Sequence, residues 1–143
     1  MIGERTIFSR GSDEWSTPKD LFDSLNEEFH FDLDAASTDE NALCERHFTR
    51  ENDGLLQSWG GCSVWCNPPY SNVKYWVRKA YNERNNAKSI VLLVFSRTDT
   101  RWFHDYVYGK AEIRFIKGRL KFSGAKYNAP FPSMLIIYRK VVS

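Results

Sequence analysis

The sequence predicts a single-domain α/β fold on a mostly parallel sheet, and three observations carry that prediction. Short apolar segments alternate with segments of helical periodicity. One apolar segment, Ser89–Phe95 (SIVLLVF), is continuous, as expected of a strand covered on both faces. The last two apolar segments, Ala111–Ile116 and Met134–Arg139, have no helical pattern between them. They are expected to pair as an antiparallel hairpin through the loop Lys117–Pro132.

Residues 1–14 read as a polar, irregular lead-in, and residues 15–143 as one domain of reduced size. Thr17-Pro18 predicts a helix start, with a hydroxyl N-cap, proline at the first helical position and Asp20 in the first turn. Leu21, Phe22, Leu25 and Phe29 then share a face. Phe31–Asp34 is expected to be a short strand, and Thr38, Asp39 and Glu40 the cap and first turn of a short helix. Ser63–Cys66 reads as a strand that stops at Asn67-Pro68-Pro69. Ser71 is expected to cap a helix that buries Val73, Trp76, Val77, Ala80 and Tyr81. Thr98 or Asp99 is expected to cap another, with Trp102, Phe103, Tyr106 and Val107 on one side.

Composition narrows the function. The chain is 42% hydrophobic and 27% charged, with no apolar run near the length of a membrane span and no signal-peptide core in MIGERTIFSR. A cytoplasmic protein that does not contact the membrane is expected, and three cysteines without framework spacing agree with reduced thiols. The formal net charge of +2 hides an asymmetry. Residues 1–72 carry 14 acidic and five basic side chains, whereas residues 73–143 carry four acidic and 15 basic. Such a swing suggests that the second half faces a polyanion, and the aromatic residues among those cations suit base stacking.

The sharpest local signal is Asn67-Pro68-Pro69-Tyr70 at the carboxyl end of an expected strand, where open α/β sheets bind ligands. Asn67 Oδ1 and the Pro68 carbonyl are two acceptors in a rigid corner, because proline has a fixed φ and no N–H to compete. Two such acceptors could take both hydrogens of a planar amino group, such as adenine N6, and free its lone pair for attack. Tyr70 offers a face on which a flipped base can stack. As an isolated tetrapeptide the corner is equally well a strand-ending turn.

Further stretches occur in order: WSTPKDLFDSL, FDLDAAS, CERHFTRENDGL, VWCNPPYSN, LLVFSRTDTRWFH and IKGRLKF. Together, from Trp15 to about Tyr138, they resemble the phage-type DNA N6-adenine methyltransferases. The resemblance implies a Rossmann-like fold using S-adenosyl-L-methionine, with DNA as partner and adenine N6 as target. It implies that Asn67, Pro68, Pro69 and Tyr70 form the catalytic corner. Trp15, Ser16, Thr17 and Pro18 would pack over the methionine part of the cofactor, and Asp34, Ala35 and Ala36 would approach it. Asp53, in Asn52–Leu56, would accept from the cofactor's adenine amine. The sequence departs from many amino-methyltransferases in having no glycine over Phe31–Asp39. Glu45 and Glu51 are candidates for the ribose hydroxyls, and each also reads as an ordinary surface charge.

For DNA, the candidates are Ser71, Lys74, Arg97, Arg101, Lys117, Arg119, Lys121 and Lys126, against the plainer reading of a solvated basic surface. Cys44, His47, Cys62 and Cys66 fit no common zinc module, so no metal is expected. With 32 residues between Asp34 and Asn67, a separate target-recognition domain has no room there. Specificity would be low, or come from a second protomer or a partner protein. Methylation of RNA adenine, of a glutamine amide or of cytosine N4, and a non-catalytic binding module with a vestigial cofactor cleft, are the alternatives.

Overall fold

The computed structural model describes residues 16–140. Its order is α1 (Lys19–Phe29), β1 (Leu33–Asp34), a 3-10 turn at Gly54–Leu56, β2 (Ser63–Cys66) and a second 3-10 turn at Tyr70–Asn72. Helix α2 (Val73–Glu83), β3 (Ser89–Phe95), α3 (Arg101–Tyr106), β4 (Glu112–Phe115) and β5 (Ser133–Arg139) follow. The five strands lie in the order β1-β2-β3-β5-β4. The first three are parallel, and β5 runs antiparallel to both β3 and β4. The expected hairpin is present, and β5 is inserted between β3 and β4 rather than added at the edge.

Period-two alternation divides the core. Ile90, Leu92 and Val94 of β3 join Val64, Met134 and Ile136 beneath α2 and α3, against Trp76, Val77, Ala80 and Phe103. Val91, Leu93 and Phe95 face the other way, with Trp65, Leu135 and Ile137, and meet Phe22, Leu25 and Phe29 of α1. Both faces are covered, which is why SIVLLVF reads as unbroken apolar sequence.

Several expected helix starts are displaced. Pro18, not Thr17, is the N-cap of α1, and no side chain caps there. Ser71 lies in a 3-10 turn, and α2 begins two residues later behind Asn72 without a side-chain cap. Thr100, rather than Thr98 or Asp99, caps α3 by accepting from the Phe103 N–H at 3.3 Å. Thr38 starts no helix. It exchanges hydrogen bonds with Asn41 in a closed turn, its N–H donating to Asn41 Oδ1 (2.8 Å) and its hydroxyl accepting from the Asn41 N–H (3.1 Å). Thr17 and Thr38 thus bond groups other than a helix N-terminus, Asn67 Nδ2 in the first case and the Asn41 N–H in the second. The expected strand at Phe31 begins at Leu33, because the Phe31 N–H is taken by Asn26 Oδ1 where α1 ends.

Candidate active site

The carboxyl ends of β1, β2 and β3 open onto two neighbouring cavities of about 260 and 270 Å³. The first lies between Ser16–Thr17, the chain after β1, and the turn at Asp53–Leu55. The second is walled by Pro68, Tyr70, the end of β3, Arg97, Trp102 and Phe122. Asn67 lines both.

The first cavity forms because the chain after β1 folds back along it. The Asp34 N–H donates to the Arg46 carbonyl (3.1 Å), and the Phe48 N–H donates to the Asp34 carbonyl (2.9 Å). Asp34, only 2% exposed, is held by the Leu43 N–H on Oδ2 (3.0 Å) and the Ala36 N–H on Oδ1 (3.4 Å). Burial pushes its carboxyl up to about 6, against the pull of those two donors. Folded Asp34 therefore holds its proton more tightly than unfolded Asp34. Its contribution to stability is full below the ordinary value of 3.8 and is lost as the pH rises through 6. Relative to Asp34→Asn, the wild type is expected to lose about 2 kcal/mol of unfolding free energy between pH 4 and pH 7. Urea unfolding across that range measures it, and a constant difference would show an unperturbed carboxyl.

Gly54 makes a close approach to the chain after β1. A Cβ on Gly54 would lie 2.3 Å from the Ala35 carbonyl oxygen and 3.0 Å from the Trp76 ring. The tight approach is thus made from the Asp53–Leu55 side, onto a β1 loop of small residues. Trp59 Nε1 fixes the same turn by donating to the Gly54 carbonyl at 3.0 Å. Asp53 adopts a left-handed conformation (φ 55°), and its Oδ1 accepts from the Leu55 N–H at 3.1 Å.

In the second cavity, Tyr70 packs edge-on against Phe95 with ring centroids 4.6 Å apart. The Arg97 guanidinium sits 5.1 Å over Phe131 and 3.5 Å from Asp99, which with Tyr70 holds its pKa above the usual value. Phe122 reaches the cavity from the Lys117–Pro132 loop, which is pinned where the Ser123 N–H donates to the Ser16 carbonyl (3.0 Å).

The candidate residues are therefore only partly gathered. Ser16, Thr17, Asp34, Ala35, Ala36, Asp53, Asn67 and Pro69 line the first cavity, and Asn67, Pro68, Tyr70 and Arg97 the second. Trp15 and the lead-in lie outside the described residues. Pro18 lines neither cavity, and its carbonyl accepts from the Phe22 N–H in α1. Glu45 and Glu51, the ribose candidates, are exposed and line neither cavity. Ser71, Lys74, Arg101, Lys117, Arg119, Lys121 and Lys126 are exposed, and none lines either of these two cavities. Sequence reasoning missed Asn41, Phe48, Thr49, Gly54 and Trp76 as wall residues of the first cavity. Only the Asp53-Gly54 pair carried a signal, that of a turn.

No cysteine lines either of these cavities. All three are free, and burial pushes the Cys44 thiol up to about 12 and Cys66 well above its usual range. His47 turns to Asp39, with Nε2 2.8 Å from Oδ1. Among the described residues no three His, Cys, Asp or Glu side chains cluster to hold a metal, and no helix is long and apolar enough to cross a membrane.

The profile of the DNA N-6-adenine-methyltransferase (Dam) family matches residues 5–142. The chain belongs to that family. Among its Dam-family relatives is the DNA N-6-adenine-methyltransferase of Escherichia phage T1, 36% identical over 110 residues, which are 76% of this chain and 46% of the phage protein. That of Haemophilus phage HP1 is 33% identical over 119 residues, 81% of this chain and 69% of its own. The chain thus spans about half the length of the T1 relative. Among solved structures, a candidate RNA methyltransferase from Pyrococcus horikoshii superposes with a TM-score of 0.51 at 11% identity. That likeness covers 78% of this chain and 64% of the archaeal one, and it speaks for the Rossmann-like methyltransferase fold alone.

Proposed function

We propose that this Dam-family chain transfers a methyl group from S-adenosyl-L-methionine to the N6 amino group of adenine in DNA. The observation that carries the reading is Asn67, a residue in the wall of two cavities at once. A transfer between two bound molecules needs such a junction, because donor and acceptor must meet at one point.

The first cavity fits the cofactor. Its buried Asp34 carboxylate, ionised above pH about 6, suits the cofactor's ammonium group. Phe48 and Trp76 offer apolar wall for a purine, and Asp53 an acceptor for its amine. Bound there, S-adenosyl-L-methionine would supply an electrophilic methyl on a sulfonium. Asn67 Oδ1 and the Pro68 carbonyl would accept from the two amino hydrogens of the target and raise the electron density on its nitrogen. Tyr70 would stack on the flipped base, with Phe122 and Trp102 excluding water around it. No residue of this chain forms a covalent bond in that scheme.

Residues 15–143 then act as one catalytic domain, with DNA held by the basic second half and sequence specificity either low or owed to a second protomer or a partner protein. Neutralising Arg119 and Lys121 together, both exposed on the loop that carries Phe122, should weaken DNA binding at low salt and leave cofactor binding alone. The plot of log affinity against log salt should flatten by about 0.9 for each phosphate no longer neutralised. Unchanged affinity and slope would move the grip to the start of α2.

The reading itself is tested by incubating the protein with unmethylated DNA and labelled cofactor, then digesting to nucleosides. N6-methyl-2′-deoxyadenosine as the labelled product is the expected result. Label in N4-methylcytosine would change the substrate, and no binding of cofactor at millimolar concentration would favour a non-catalytic module.

A further inference from the structure

The sheet has two edges, and among the described residues only one of them is covered. Outside β1, Asp34 bonds the returning chain, its N–H donating to the Arg46 carbonyl and its carbonyl accepting from the Phe48 N–H. The other edge is β4, which pairs with β5 alone. The Ile116 N–H donates to the Ser133 carbonyl (3.1 Å), continuing the β4–β5 register by one residue. Backbone groups alternate sides along an antiparallel strand, so Glu112 and Arg114 also bond β5. The N–H and C=O groups of Ile113 and Phe115 therefore point outward from the sheet. Neither proline nor lysine, two usual guards of an open edge, occurs in Glu112–Phe115.

Side chains divide by face in the same rhythm. Glu112 and Arg114 share one face with Glu28 and Arg139 in a neutral ring of two carboxylates and two guanidiniums. Three of the five N–H groups of Arg114 are used there. Ile113 packs on the other face, against the core beneath α2 and α3, and Phe115 on that face is 66% exposed.

We propose that β4 pairs antiparallel with β4 of a second copy of this chain, about a two-fold axis at Ile113, so that the two five-stranded sheets become one. The strand's own pattern selects that occupant. With Ile113 opposite Ile113, each copy's Glu112 lies opposite the other's Arg114, and each Phe115 opposite the other's Ala111. Opposite charges meet twice, and an apolar pair sits on the axis. The two Ile113 residues exchange both backbone hydrogen bonds, and each Phe115 N–H reaches the other copy's Ala111 carbonyl. An axis at Phe115 would instead set Arg114 against Ile116 and Ile113 against Lys117, losing both charge pairs. The interface is self-complementary, as a two-fold axis requires.

Sedimentation velocity over a concentration series tests the pairing, and cross-linking tests its register. So short an edge buries little area, so the dimer is expected to form in the range of about 10–100 µM. In the proposed register the two Ile113 Cα atoms lie about 5.5 Å apart, within reach of a disulfide. Mild oxidation of Ile113→Cys should therefore give a covalent dimer, whereas Phe115→Cys and the wild type, with its own three cysteines, should not. Phe115→Pro removes an outward N–H and leaves the ladder with β5 intact, so it should raise the dimer Kd at least tenfold with little change in melting temperature. Should it not fold, Phe115→Lys places a charge on the same exposed edge and serves in its stead. A wild-type chain still monomeric at about 500 µM overturns the proposal. So does a dimer that the Phe115 variant leaves unweakened, or one that cross-links at position 115 and not at 113. Neither readout involves methyl transfer, so failure of the proposed function would leave this pairing standing.

Discussion

Asn67→Ala is expected to lower the methylation rate at saturating substrates by about 10²–10³-fold, the usual cost of removing one polar group aimed at developing charge. The substitution removes Oδ1, one of two acceptors proposed for the target amine, and leaves the Pro68 carbonyl in place. It also removes the donor to Thr17, but Ser16 and Thr17 remain tied to Ser123 by two hydrogen bonds. Cofactor Kd should therefore stay within a few-fold of wild type, because most of the first cavity's wall comes from other residues. Single-turnover methylation and calorimetric titration with cofactor separate the two effects. Substantial turnover in Asn67→Ala would show that the corner is not catalytic. A large loss of cofactor affinity would show that the residue serves the first cavity more than the second.

Gly54→Ala should be the most damaging single-methyl change in the wall of the first cavity, the one proposed for the cofactor. The new Cβ would stand 2.3 Å from a backbone oxygen at Ala35, which cannot rotate away, and 3.0 Å from the Trp76 ring. The Gly54 turn is also tied by the Trp59 indole, so relief requires β1's loop and a buried aromatic cluster to separate. A cost of about 3 kcal/mol in unfolding free energy follows, the upper part of the range for overpacking. Cofactor affinity should fall as well, because the displaced residues are cavity wall. Gly61→Ala is the matched control. Gly61 has φ +72° with nothing within 4 Å of an added Cβ, so its cost of about 1–2 kcal/mol is purely conformational. Its cofactor affinity should be unchanged. Equal effects of the two substitutions on cofactor binding would remove Gly54 from the site.

The α/β class, the parallel run β1-β2-β3 and the closing hairpin were legible in the sequence. A strand buried on both faces must be continuously apolar, and two strands without an intervening helix must turn back on each other. The place of Asn67–Tyr70 at the carboxyl end of β2 was legible for a similar reason. Two consecutive prolines end a strand by their fixed φ and missing N–H, which needs no distant partner. Everything that depends on a side chain's choice of partner was not. Thr17, Ser71, Thr98 and Asp99 all have the composition of helix caps, and none caps, because a hydroxyl or carboxylate bonds whichever group the fold brings near. Only the tertiary structure decided that Thr17 would meet Asn67, that the glycine facing the β1 loop would come from position 54, and that the Asp34 carboxyl would lie buried beside a cavity. Those contacts join segments from 9 to 50 residues apart. Their energies come from burial and close approach, which no local pattern of residue types encodes.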